Sequence, residues 1–240
     1  MSEFAYVNRV EQLFKEVIDT NRETIKALAK KFAENIESDH MIHTFGTGHS
    51  HITGIEMFGR AGGLANVNAM LDPDVLTSNG ERRSGALERL EGLADIIYDQ
   101  YKIEKGDIMV LISNSGRNAC PIEMAMRAKK EGVYTIAITN LKQSQASQSR
   151  HSSGKRLFEV VDVVLDNCVD AGDAMMTVGN ISTGPGSTLS SCLLVNTIVY
   201  EALKIVNEKG LPLPVLASQN VDGNDNEALM KKYEGRIKYL

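Results

Sequence analysis

The chain has 240 residues, of which 42% are hydrophobic and 24% are charged. This is the balance of an ordinary core-forming protein, and it excludes intrinsic disorder, a collagen-like repeat and a disulfide-rich miniprotein. Lys and Arg number 26 against 31 Asp and Glu, so the net charge is -5 and no basic excess exists to neutralise a nucleic-acid backbone.

The N-terminal segment has the apolar period of an amphipathic helix. Apolar residues recur at helical spacing from Val7 to Ile36, which predicts one or two helices over residues 3–37. A leading helix with one apolar stripe covers a sheet or a partner subunit. We expect it to do both, which favours a homodimer or a homotetramer.

From residue 41 onwards, short apolar runs alternate with helical patterns. Strands are predicted at 41–45, 64–70, 108–112, 133–138 and 160–165, and helices at about 51–61, 84–101, 118–131, 189–206 and 226–238. The continuous apolar run Ile108–Ile112 is typical of a parallel strand that is buried on both faces. This alternation predicts a doubly wound α/β fold. We expect a single domain, with leading helices over 1–39, a sheet core over 40–206 and a C-terminal tail and helix over 207–240.

Features that would place the chain outside the cytoplasm are not visible in the sequence. No run approaches the roughly 18 apolar residues of a membrane helix, and no basic stretch followed by an apolar one opens the sequence. Cys120, Cys168 and Cys192 are far apart and lack metal-ligand spacing, which is typical of buried thiols in a reducing compartment. We therefore expect a cytoplasmic protein that binds neither membrane nor nucleic acid.

Three loops rich in small residues precede predicted helices. We call residues 46–50 the first loop, residues 113–118 the second loop and residues 184–188 the third loop. Open parallel sheets bind ligands at the carboxyl ends of their strands, and free amides at a helix N-terminus suit an anion such as phosphate. Any one loop could be an ordinary helix cap, but three in this order favour ligand binding.

Common nucleotide-binding motifs and the nucleophile elbow of hydrolases do not match these loops. A dinucleotide fingerprint would need glycine at His51, and no Gly-Lys-Ser/Thr of a nucleotide P-loop occurs. A nucleophile elbow would need glycine at Ile52. Hydroxyl-rich loops with little lysine favour a monophosphate, held by hydroxyls and backbone amides, and we expect no cofactor.

The loops resemble those of the sugar isomerase (SIS) domain family, whose members bind phosphosugars. Phe45–Ser50 is similar to the family's first loop, and Ser113–Asn118 is similar to its Ser-x-Ser-Gly-x-Ser/Thr/Asn phosphate loop. The resemblance covers about 40–206 and implies a five-stranded parallel sheet in a dimer or tetramer, with sites near subunit interfaces. It also implies phosphate or substrate contacts from Gly46, Thr47, Gly48, Ser50, Ser113, Asn114, Ser115, Asn118, Ser187 and Thr188.

The leading helices suit the phosphoheptose isomerase-like branch, and further segments resemble a bacterial group within it. These segments are Arg60–Leu64, Ala86–Gly92 and Ser149–His151. Phosphoheptose isomerases place a metal-binding His six residues after the first-loop Ser and a catalytic Glu ten residues after it. Glu56 and Arg60 stand at those positions here, so the resemblance does not carry over their metal-assisted mechanism, and we expect no resident metal.

Aldose–ketose isomerisation needs a base and a group that polarises the carbonyl oxygen. Glu88, placed near the start of the helix predicted at 84–101, resembles the Glu of family members that cleave a sugar ether, and Glu56 projects from the helix after the first loop. His49 and His151 are candidates for the polarising group.

Each of these four residues also has an explanation that involves no catalytic role. Glutamates are common on exposed helix faces, and the histidines could be helix caps or solvated loop residues. A metal site of His49, His51 and Glu56 is a further alternative. Sugar hydroxyls could be contacted by Asp170, Gly172 and Asp173, which lie in an irregular stretch.

The sequence therefore predicts a phosphosugar-binding protein, an isomerase acting by Glu and His acid–base chemistry. Two alternatives remain open: a lyase or etherase on the same scaffold, and a non-enzymatic phosphosugar sensor or assembly protein.

Overall fold

The computed structural model describes residues 2–240 and contains a five-stranded, all-parallel sheet. Its strands are β1 (Ile42–Gly46), β2 (Val67–Ala69), β3 (Ile108–Ile112), β4 (Tyr134–Thr139) and β5 (Val163–Asp166). Their order across the sheet is β2-β1-β3-β4-β5. In the register of the central strands, Ile108 lies opposite both Ile42 and Tyr134. The predicted α/β fold with five parallel strands is confirmed.

Eight α-helices, three short 3-10 helices and a short hairpin complete the part of the chain that the structure describes. The helices are α1 (Ala5–Glu37), α2 (His51–Met57), α3 (Glu81–Leu87), α4 (Leu93–Tyr98), α5 (Ala119–Lys130), α6 (Leu141–Ala146), α7 (Ser187–Glu208) and α8 (Glu227–Tyr233). The antiparallel hairpin consists of β6 (Met176–Val178) and β7 (Ile181–Thr183). This hairpin is not among the predicted strands, because three-residue strands are too short to show a period of two.

The central strand divides the core into two layers. Side chains alternate along a strand, so Ile108 and Val110 pack with α1 and α7, whereas Met109 and Leu111 pack with α4 and α5. Both faces of the sheet are thus covered, as the continuous apolar run in β3 predicted.

The helix predicted at 84–101 is in fact two helices, and this changes the position of Glu88. Gly92 has a φ of 86° and separates α3 from α4, although the apolar spacing runs through the break. The backbone N–H of Gly92 donates to the carboxylate of Glu123 on α5, at 2.9 and 3.0 Å. Glu88 therefore lies at the C-terminal end of α3 and not near the start of a helix.

Helix α7 corrects the expectation that no segment is long and apolar enough for a membrane. Among the described residues it is the one helix that could cross a membrane by length and composition. Its residues Leu194, Val195 and Ile198 are buried in the core against α1 and the sheet. Core helices of globular proteins can have the same length and apolar composition, so these two properties alone do not indicate a membrane span.

A buried carboxylate joins the strands at the amino end of the sheet. Asp107 accepts hydrogen bonds from the backbone N–H of Met41 and of Glu104, both at 2.9 Å. Its other contacts are His43 Nε2 at 2.9 Å and His40 Nδ1 at 3.2 Å. Burial raises the pKa of Asp107. The hydrogen bonds from His43, Met41 and Glu104, of which that from His43 has the largest effect, lower the pKa by more, so the net shift is downward.

Candidate functional site

The three loops meet at the carboxyl edge of the sheet, around a small polar cavity. Its volume is about 10 Å³, enough for a single water molecule. Each loop contributes predicted residues to the lining: Ser50, Asn114, Ser187 and Thr188. Neighbouring segments contribute residues that were not predicted: Thr53, Ile112, Asn167 and Ser191. The topology thus brings the predicted loops together, and a larger ligand must extend beyond this cavity.

The second loop has the backbone of an anion-binding nest. Ser113 is buried, and its Oγ accepts the N–H of Gly116 at 3.2 Å. Gly116 has a φ of 58°, which turns the chain so that successive amides point to one side. In the described part of the chain, the N–H groups of Ser115, Arg117 and Asn118 have no hydrogen-bond partner. These amides are available to an anion such as phosphate.

Contacts to the following strands hold the second loop in place. The backbone oxygen of Asn114 accepts from the N–H of Asn140 at 3.0 Å and from Thr139 Oγ1 at 3.1 Å. Its side-chain oxygen accepts from Asn167 Nδ2 at 2.7 Å. These contacts join the ends of β3, β4 and β5, so the loop is fixed by tertiary structure that lies outside its own sequence.

Glu88 connects the first loop to the second. One of its carboxylate oxygens accepts the hydroxyl of Thr47 at 2.6 Å, and the other accepts the side-chain amide of Asn118 at 2.7 Å. Arg150 Nη1 donates to Asn118 Oδ1 at 3.0 Å. Glu88 is therefore held in place by both loops.

A larger open cavity adjoins this carboxylate. It has a volume of about 780 Å³, and Gly48, His49, Glu88, Arg82 and Arg89 are among the residues that line it. Binding sites for small molecules commonly have volumes of about 300–1,000 Å³. Glu88 and His49 are the two predicted acid–base residues that share one cavity of suitable size.

The third loop differs from the prediction because a carboxylate occupies the start of α7. Asp173 accepts the N–H groups of Gly186 and Ser187, at 2.9 and 2.8 Å, and the hydroxyl of Ser187 at 2.6 Å. The hydroxyl and amide of Ser187 are thus already hydrogen-bonded to Asp173, although Ser187 lines the small cavity together with Thr188. Nothing in the local spacing of the sequence indicates this long-range cap.

Glu56 lies apart from the three loops. It forms an ion pair with Arg60 and accepts from Asn196 Nδ2 at 2.8 Å. The cavity that it lines, of about 230 Å³, includes no residue of the three loops. The structure therefore does not bring Glu56 together with Glu88 and His49.

The remaining histidines also have contacts outside the large cavity. His51 is buried, and its Nδ1 contacts the backbone oxygen of Gly48. His151 Nδ1 lies 2.7 Å from Ser153 Oγ, and its Nε2 faces Glu123. Over residues 2–240, His49, His51 and Glu56 do not form a group close enough to hold a metal ion.

Comparisons with known proteins show which family the chain belongs to. The SIS domain model matches residues 5–140. A UPF0309 protein of Caldanaerobacter subterraneus is 38% identical over 242 residues, covering 98% of each chain. A UPF0309 protein of Listeria innocua is 39% identical over 240 residues, covering 98% of this chain and 97% of the relative.

A solved structure shares the fold at much lower identity. The phosphoheptose isomerase of Neisseria gonorrhoeae aligns with a TM-score of 0.51 and 18% identity, over 79% of this chain and 89% of its own. Similarity at that level establishes the architecture alone. The family match over residues 5–140 and the full-length relatives establish more: the chain belongs to the SIS domain family and, within it, to the UPF0309 group.

Proposed function

We propose that the protein binds a sugar phosphate and isomerises it between aldose and ketose forms. The observation that carries the proposal is the second loop, Ser113–Asn118, with its unpartnered amides at the carboxyl end of β3. Membership of the SIS domain family supports a phosphosugar as the ligand. In this proposal, the amides and the hydroxyls of Ser113 and Ser115 hold one phosphate group.

The sugar would extend from the second loop into the cavity of about 780 Å³ that Glu88 and His49 line. In this arrangement, Glu88 removes the proton from the carbon next to the carbonyl. His49 donates a hydrogen bond to the oxygen that gains negative charge in the enediolate. Glu88 then returns the proton to the neighbouring carbon, so no other reactant is consumed. The carboxylate needs no large movement, since Thr47 and Asn118 already position it.

Binding is tested by the thermal stability of the protein with a panel of sugar phosphates, each paired with its unphosphorylated sugar. A ligand at about 100 times its dissociation constant stabilises the folded state by about 2.7 kcal/mol. For a chain of this length, that raises Tm by about 5 to 10 °C. We expect such a shift with one or a few phosphates and none with the matched sugars. No shift with any phosphate would refute the proposal.

The reaction is tested with Glu88→Gln, and Glu56→Gln is the matched control because Glu56 lies in a different cavity. We expect the first variant to lose about 100- to 10,000-fold in kcat while still binding ligand, and the second to keep wild-type turnover. Product mass distinguishes the alternatives: isomerisation conserves the substrate formula, whereas an etherase or lyase splits the substrate. Ligand binding without any turnover would identify a sensor.

A further inference from the structure

We infer that the ligand carries a second anionic group, a carboxylate or a second phosphate, and that Arg82 and Arg89 bind it. This inference rests on the proposed function, because it concerns the end of the ligand that lies away from the second loop. Both arginines line the cavity of about 780 Å³, together with Glu88 and His49. None of residues 113–118 lines that cavity, so the group that these arginines face is not the phosphate of the second loop.

Ion pairing divides the arginines of the chain into two sets. The arginines away from the candidate site all form ion pairs with carboxylates: Arg9, Arg22, Arg60, Arg83, Arg127, Arg156 and Arg236. Among residues 2–240, those without an ion pair line the large cavity, belong to the second loop or contact it: Arg82, Arg89, Arg117 and Arg150. Acidic residues outnumber basic ones in this chain, so a shortage of carboxylates does not explain why this set is unpaired.

The acidic residues of the large cavity do not neutralise its arginines. Both carboxylate oxygens of Glu88 already accept hydrogen bonds from the first and second loops. Glu81 directly precedes Arg82 in α3, and adjacent residues of a helix do not face each other. The next arginine, Arg83, pairs instead with Asp74, with 2.6 Å between Nη2 and Oδ1. Helix α3 thus uses one of its arginines within the fold and leaves Arg82 available to a ligand.

Positive charge accumulates beside Glu88. Partial burial lowers the pKa of the Arg150 guanidinium, and repulsion from Arg117 and from Arg89 lowers it further. The attraction of Glu88 opposes these effects only in part, since the net shift of the pKa is downward. Like charges that are held together repel each other. A bound anion would remove this repulsion, and no carboxylate of the described chain does so.

The guanidinium group is suited to an oxyanion. It is planar and always charged, and two of its N–H donors match two oxygens of a carboxylate or a phosphate. Arg82 and Arg89 are both exposed, so they keep their charge and can turn towards a ligand. A sugar phosphate that presents a second oxyanion to them should therefore bind more tightly than one that presents a hydroxyl.

The test is calorimetric titration with pairs of compounds that differ in one anionic group. Fructose 6-phosphate is compared with fructose 1,6-bisphosphate for a second phosphate, and glucose 6-phosphate with 6-phosphogluconate for a carboxylate. In one of the two pairs, we expect the compound with the second anionic group to bind at least about 10-fold more tightly. The pair that shows this preference identifies the group.

Substitutions assign the preference to the two arginines. Arg82→Gln combined with Arg89→Gln should abolish it, and each single substitution should reduce it. Arg83→Gln is the control, because it removes an adjacent arginine that is paired with Asp74, and it should keep the wild-type preference. Circular dichroism shows whether each variant is folded, and the single variants replace the double variant if that one is not.

Equal affinities within both pairs would overturn the inference, as would a preference that the folded arginine variants retain. Neither result would affect the proposed function, which requires only that a monophosphate bind. If none of the four compounds binds, the inference is refuted, and the wider thermal panel decides separately on the proposed function.

Discussion

Gly116 in the second loop is a position where the structure allows an energetic prediction to be worked out. A Cβ on this residue would lie 2.8 Å from Ser144 Oγ and 3.3 Å from Thr139 Oγ1, and its φ is 58°. The left-handed conformation costs an alanine about 1 kcal/mol, and overpacking in a buried site costs about 2 kcal/mol more. We therefore expect Gly116→Ala to lower the free energy of unfolding by about 3 kcal/mol.

Gly48 is the matched control because it separates the two contributions. Its φ is 57°, but a Cβ there would meet nothing within 4 Å. Gly48→Ala should therefore show only the conformational cost of about 1 kcal/mol. Urea denaturation measures the free energy of unfolding of both variants. In thermal denaturation, each kcal/mol lost should lower Tm by about 2 to 4 °C.

Ser144→Ala tests whether the close contact is the cause. Ser144 Oγ is buried and has no hydrogen-bond partner among residues 2–240, so its removal alone should change stability little. In the Gly116→Ala background, it should restore about 1 to 2 kcal/mol, because the atom that meets the new methyl group is gone. Strict additivity of the two substitutions in the double-mutant cycle would refute the reasoning.

Three further predictions concern the rest of the fold. Asp107→Asn should lower the free energy of unfolding by about 3 kcal/mol at pH 7. Because the folded-state pKa of Asp107 is lowered, the wild type should be the more stable protein above about pH 4, and this difference should be lost as the pH falls through the folded-state pKa. Equal differences in urea melts at pH 7 and pH 3 would contradict it. Burial raises the pKa of the Cys120 thiol, so iodoacetamide at pH 8 should modify Cys120 only after unfolding, and peptide mass spectrometry showing modification of the native protein would count against that. Tyr200 is 64% exposed on α7, near an apolar groove of about 390 Å³ between α1 and α7; Tyr200→Glu should dissociate a homodimer or homotetramer in light scattering, and a monomeric wild type would exclude this interface.

The sheet could be predicted from the sequence because its strands are set by local patterns. Apolar runs such as Ile108–Ile112 are short, bounded by turns and buried on both faces, so their period is unambiguous. The break at Gly92 could not be predicted in the same way. Leu87, Leu90 and Ile97 keep helical spacing across it, and the contact between Gly92 N–H and Glu123 comes from a helix about 30 residues further on.

The candidate site shows the same division between local and long-range information. Topology alone places the three loops at one edge of the sheet. Contacts between distant residues determine which hydroxyls are free to bind a ligand. The hydroxyl of Ser187, for example, already donates to Asp173. The separation of Glu56 from Glu88 likewise depends on where α3 ends, which the sequence does not indicate.

The central claim, that the second loop holds the phosphate of the ligand, is tested most directly by a crystal structure of the protein with the sugar phosphate that most raises its Tm. We predict a phosphate within about 3 Å of the N–H groups of Ser115 and Asn118, with the sugar directed towards Glu88. A phosphate bound elsewhere, with these amides in contact only with water, would contradict the account.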